Sequence, residues 1–189
     1  MLISIFLLIM KRELIQTIEI PEGVEANIDG AKVIVSGPHG KNEREYDVTK
    51  LNFEKKGNAL VIGNKKATKN EKRRMNTIAA HIKNMIKGVQ GKFEYKLKVC
   101  FSHFPITVEV KGNEALIKNF LGEKTPRKAK IPTGAEVKVN KDVIIITSSN
   151  IETAGQTAAN FENATRIPNK DRRIFQDGIF ITSKCGEEI

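Results

Sequence analysis

The chain carries two kinds of apolar pattern. Short strand-forming runs recur, fenced by glycine, asparagine or aspartate: Val33-Ile34-Val35, "ALVIG" from Ala59, "KFEYKLKVCF" from Lys92, Ala115-Leu116-Ile117, "DVIIIT" from Asp142 and "GIFITS" from Gly178. Aliphatic, β-branched runs between turn residues predict strands. Two other stretches repeat at spacings of three and four. Met75, Ile78, Ile82, Met85 and Val89 make one stripe; Ile151, Ala154, Ala158 and Phe161 make a second from smaller side chains. That period is a helix with one buried face, and small residues in the second let it lie close to a sheet. Both helices open on a hydroxyl residue followed three positions later by glutamate, Thr68 with Glu71 and Ser149 with Glu152. This is the spacing of a reciprocal capping box.

The order of these signals repeats. "GAKVIVSGPHG" from Gly30 and "GNEALIKNFLG" from Gly112 are 82 positions apart, and each leads from a strand into a turn closed by glycine, Gly40 or Gly122. A charged segment follows in both ("KNEREYDV", "EKTPRKAKI"), then turn residues ("KKGN", "VNKD"), an aliphatic run and a helix. "AAHIKN" from Ala79 aligns with "AANFEN" from Ala158. A long offset used twice is a duplication, whereas a solenoid needs more and shorter copies. The expected fold is therefore α+β, in two duplicated domains. Each is a small, largely antiparallel sheet with one helix packed on one face. The expected boundaries are 1–9 for an apolar extension, 10–102 for the first domain and 103–189 for the second, with Pro105 punctuating the joint.

The extension "MLISIFLLIM" is too short for a membrane span, which needs about 20 apolar residues, and it lacks a basic leader and a plausible cleavage site. It reads as an alternative start or a short tail docked on a partner, with a membrane anchor less favoured. Lys+Arg number 32 against 22 Asp+Glu, a net of +10 with a pI near 9.6, a surplus that attracts polyanions. The first hundred residues hold 19 of the cations, but the second half gathers its own into two short runs. Cys100 and Cys185 have no zinc-like spacing and read as reduced cytosolic thiols.

No catalytic set emerges. "GPHGK" (Gly37 to Lys41) lacks the spacing of a phosphate-binding loop and the Ser or Thr that follows one. His39 reads as a turn histidine without a partner, and His81 as a core or groove residue on the first helix. The expectation is no enzyme, no cofactor, no metal and no small-molecule substrate.

Three basic clusters remain. "KKATKNEKRR" brings Lys69, Lys72, Arg73 and Arg74 to a helix N-terminus, where the macrodipole disfavours cations but backbone N–H groups suit an external phosphate. "GEKTPRKAKIPTG" holds Lys124, Arg127, Lys128 and Lys130 between glycines and prolines, which stiffen the loop and lower the entropy lost on docking. "RIPNKDRRIFQDG" holds Arg166, Lys170, Arg172 and Arg173 ahead of the strand "GIFITS". Arginine's planar fork suits phosphate. Phe175 reads as a core aromatic leading the strand or as a platform for a base.

"NFLGEKTPRKAKI", "NIETAGQTAANFENAT" and "KDRRIFQDGIFITSK", with "IPEGVEANIDGAKVIVSGPHG" nearer the start, resemble a large-ribosomal-subunit protein family. It is numbered six in bacteria, and the likeness is closest to its archaeal and eukaryotic branch, whose eukaryotic members are numbered nine. The likeness runs from about residue 10 to 189. It implies a duplicated α+β protein whose C-terminal domain contacts large-subunit rRNA near the sarcin–ricin loop and the stalk base. Neighbouring large-subunit proteins are the further expected partners, and the cytoplasmic ribosome the expected location. The contact candidates it implies are the eight cations of the second and third clusters. Two other classes compete. A membrane-tethered adaptor would use residues 1–10 and the basic first half; an RNA-processing enzyme would need a nucleophile or metal set that the sequence lacks.

Overall fold

The computed structural model describes residues 12–47, 51–171 and 173–189, without the side chains of Arg12, Lys65 and Lys66. The extension 1–9 therefore lies outside the described residues. The chain divides into two compact units, one ending at Gly91 and the other running from Lys92 to Ile189.

The first unit contains β1 (Arg12–Glu19), β2 (Glu25–Asp29), β3 (Lys32–Gly37), β4 (Gly40–Glu45), β5 (Asn52–Lys56), β6 (Ala59–Ala67) and helix α1 (Lys69–Gln90). The strands form two antiparallel sheets, β1–β6–β5 and β2–β3–β4. Alternation decides what each strand buries: Val33 and Val35 from β3, Leu60 and Ile62 from β6. Both pairs meet the helix stripe, of which Met75, Ile78, Ala79, Ile82, Ile86 and Val89 are buried. The helix is thus shared by two sheets, where one had been expected.

The "GPHG" turn between β3 and β4 is a packing device. His39 N donates to Val89 O at 3.0 Å, and a Cβ on Gly37 would stand 2.2 Å from Val89 Cγ1. Val89 is fully buried and stiff at χ1, so it has little room to yield. Gly37→Ala is expected to cost about 1–3 kcal/mol through overpacking. Chemical denaturation checks this, and pairing the change with Val89→Ala should recover part of the loss. Strictly additive costs would count against the clash.

The second unit repeats the plan. It contains β7 (Phe93–Cys100), β8 (Thr107–Lys111), β9 (Glu114–Lys118), a 3-10 turn at Phe120–Gly122, β10 (Arg127–Lys130), β11 (Glu136–Asn140), β12 (Val143–Ser148), α2 (Ile151–Ala164), β13 (Gly178–Lys184) and β14 (Glu187–Glu188). Its sheets are β11–β12–β7–β13–β14 and β8–β9–β10, again antiparallel. Thus β7–β12–β11 repeats β1–β6–β5, and β8–β9–β10 repeats β2–β3–β4. Residues 93–102 had been expected to close the first domain, yet β7 opens the second. Leu97 pairs with Ile144 and Ile181, and Val99 with Ile179. Alternation announces that strand but not which sheet it joins. In this unit β13 adds a strand on the far side of β7.

Helix α2 buries Ala154, Thr157, Ala158 and Phe161. A Cβ on Gly155 would lie 3.4 Å from the Tyr95 hydroxyl oxygen, which gives the close approach its measure. The expected Ser149 cap is displaced by one residue. Asn150 is the N-cap, its Oδ1 accepting from Glu152 N at 2.9 Å. In α1 the expected box forms, with Thr68 N donating to Glu71 Oε2 at 2.9 Å. Among the described residues no helix is long and apolar enough to cross a membrane.

Candidate RNA interface

Arg127 decides the shape of the second unit's basic surface. It opens β10 on the face shared with buried Ala129, while Lys128 and Lys130 point outward on the other. Its guanidinium forks onto Glu123, Nε to Oε2 at 2.8 Å and Nη2 to Oε1 at 2.6 Å. Nη1 donates to two carbonyls at the end of α2, those of Ala164 at 3.0 Å and Arg166 at 3.1 Å. A helix end leaves such carbonyls without intrahelical partners. The guanidinium also lies 4.3 Å from the centroid of the buried Phe120 ring. Hydrogen bonding from Arg127 holds the Glu123 carboxyl below the ordinary carboxylate value against the opposing effect of burial. One residue thus ties the two basic segments of this unit together. Most of the Arg127 donors are engaged within the unit, which favours a framing role over the phosphate grip expected of it.

The cations around it remain available. Lys124, Lys130, Arg166 and Lys170 are exposed. Lys128 makes a surface pair with Glu114 at 3.5 Å, worth little in water. Arg173 touches Asp171 at 3.5 Å, but its side chain is 92% exposed. Arg172 lies outside the described residues. The loop carrying these cations is ordered by Asp171, whose Oδ1 accepts from Arg173 N at 2.9 Å and whose carbonyl accepts from Phe175 N at 2.9 Å. Phe175 is half-buried and already engaged. His103 stacks on it at 5.2 Å, and the Lys170 ammonium lies 4.8 Å from its centroid.

Asp177 holds the other end of the loop. It is buried, and its carboxylate accepts from Ser102 N (2.7 Å), Ser102 Oγ (3.2 Å), His103 N (3.1 Å) and His103 Nδ1 (2.5 Å). Burial pushes its pKa up, but the hydrogen bonds, led by the Ser102 amide's, outweigh that and hold it at about 2 against an ordinary 3.8. No local pattern marks Asp177, Ser102 and His103 for this role, since the partners lie some 75 positions apart.

The first cluster stands in the other unit. Lys69, Lys72, Arg73 and Arg74 are exposed on the opening turns of α1, and Arg74 Nη1 meets Asp47 Oδ2 at 3.2 Å. Because Glu71 already supplies an anion to this helix end, the macrodipole argument for an external phosphate is weaker than the sequence suggested.

The model of the family described as Ribosomal protein L6 matches this chain twice, over residues 20–92 and 104–178. The chain belongs to the ribosomal protein L6 family. Large ribosomal subunit protein uL6 of Sulfurisphaera tokodaii is 44% identical to it over 172 residues, which cover 90% of this chain and 92% of that protein. The Aeropyrum pernix uL6 is 45% identical over 168 residues (88% and 92%), and that of Methanobrevibacter smithii 44% over 169 (89% and 95%). The double match agrees with the duplicated α+β fold, and the L6 family is structural and non-enzymatic.

In this L6-family chain, Asp177→Asn is expected to cost about 2 kcal/mol, since the amide replaces an anion accepting four hydrogen bonds. A carboxyl whose folded pKa is depressed adds stability above its unfolded value, lost as pH falls through the folded one. Stability of the unsubstituted protein should therefore drop from pH 3.8 towards about 2 more steeply than that of the variant. Parallel acid titrations of the two would refute the assignment.

Proposed function

We propose that this chain is a structural constituent of the large ribosomal subunit, its second unit seated on large-subunit rRNA. The convergence of two cationic loops on Arg127 carries the reading. Lys124, Lys128, Lys130, Arg166, Lys170 and Arg173 face solvent on segments tied to one another, with Arg172 joining them by sequence position. Stiff loops of this kind position phosphates at low entropic cost. The seat is rRNA near the sarcin–ricin loop and the stalk base, where the protein supports the region on which translation factors dock beside neighbouring large-subunit proteins. Lys69, Lys72, Arg73 and Arg74 form a second, separate phosphate-facing patch. The location is the cytoplasmic ribosome.

Sucrose-gradient sedimentation of the tagged protein from lysate tests this reading at low and high salt. Co-migration with free large subunits, monosomes and polysomes that resists high salt is the expected result. Slow sedimentation at the top of the gradient in both salts would overturn it.

A further inference from the structure

Beside the end of α2 the second unit encloses an open cavity of about 600 Å³, within the usual range of ligand sites. Its apolar walls include Phe180 and Pro168; its polar lining includes Glu162, Asn163, Asn169 and Arg166. The Glu162 carboxylate and the Asn163 and Asn169 amides are exposed, and none makes a side-chain hydrogen bond or ion pair with the described residues. Asp177 also lines the cavity, but its carboxylate is consumed by Ser102 and His103. The site therefore presents one uncommitted carboxylate and two uncommitted amides against apolar walls. Asn169 is held at φ 58°, a conformation asparagine tolerates better than most residues.

The carboxylate selects what can enter. It repels a phosphate, so phosphate is matched instead by the neighbouring Arg166 and Lys170. It attracts adjacent N–H donors, and among the four bases guanine alone offers two on its Watson–Crick edge, N1–H and N2–H2. A carboxylate accepts such a pair in a bidentate fork. Single-stranded bases splayed from a folded RNA are read in this way, through edge hydrogen bonds and apolar faces. We infer that this cavity receives one unstacked guanine base of the bound RNA, read by Glu162 with Asn163 and Asn169. The inference rests on the rRNA-binding reading above and adds a base-selective element to an otherwise phosphate-directed surface.

Glu162→Gln gives opposite signs for the two accounts. Removing an acidic bystander from a phosphate-binding surface tightens RNA binding at every sequence; removing a guanine acceptor weakens binding only where guanine is present. The full chain, isotope-labelled for NMR, is titrated with the oligoribonucleotides UUGUU and UUAUU and with GMP. The Asn163 and Asn169 side-chain amides should shift with UUGUU and not with UUAUU. Glu162→Gln should weaken UUGUU binding by about tenfold, as expected for losing one bidentate pair, and Asn163→Ala should weaken it similarly. Equal shifts with both oligonucleotides, no shift, or tighter binding in Glu162→Gln would overturn the inference. GMP binding more tightly than UUGUU would overturn RNA as the source of the base. Gradient sedimentation of the same variants separates the two readings. Retained large-subunit association without guanine selectivity sinks this inference alone, whereas an unsubstituted chain that fails to sediment with large subunits sinks the reading beneath it.

Discussion

Glutamate at Lys124, Lys170 and Arg173 together is expected to weaken binding to large-subunit rRNA by roughly a hundredfold or more, and to lower the steepness of its salt dependence by about two to three. Each of these side chains is exposed on a loop whose backbone is fixed elsewhere, by Asp171, Asp177 and Arg127. Reversing their charge therefore changes the field at the surface and leaves the frame alone. Exposed charges of this kind contribute under about 1 kcal/mol to folding, so the melting temperature should stay close to that of the parent. Filter binding across a potassium chloride series gives both numbers. A tenfold weakening would be too small for three phosphate contacts. An unchanged slope with reduced affinity would mean that these cations stabilise the loop and do not meet phosphate.

What the sequence could reveal follows from how far each cause reaches along the chain. The helix stripes, the Thr68–Glu71 box and the strands at Val33, Leu60, Leu97 and Ile144 are local patterns, and all form. The duplication was legible because it repeats those patterns in order. The strands β4 and β10 were hidden as charged segments. Edge strands carry polar and charged residues on their open side, which blurs the alternation; in β4 only Asn42 is buried. The sheet partner of β7 was invisible for a different reason. The same alternation satisfies either unit, and only pairing with β12 and β13 decides. Charge runs mark the candidate interface as a set of segments, but cannot sort its members. Arg127 and Lys128 are neighbours in sequence, and the strand's two-residue period sends one to the frame and the other to solvent.

That sorting is the basis of the second large effect, expected at Arg127. Arg127→Ala should destabilise the second unit by about 3 kcal/mol, since it removes charge-assisted bonds to Glu123 and leaves the Ala164 and Arg166 carbonyls short of a donor. For a unit of this size that corresponds to a fall in melting temperature of roughly 10–20 °C. Arg127→Lys separates a strut from a contact. A phosphate contact tolerates lysine, which keeps the charge, so binding would largely survive with its salt dependence unchanged. A strut does not tolerate it, because one ammonium cannot reproduce a fork on Glu123, two carbonyl bonds and a flat contact with Phe120. The expected outcome is that lysine recovers less than half of the lost stability. Both variants should also lose rRNA affinity in step with their unfolding, because the loops that present Lys124 and Lys170 would no longer be held together. Full rescue by lysine at unchanged melting temperature would return Arg127 to the phosphate-binding set. It would also remove the physical reason for treating the two basic loops as one surface.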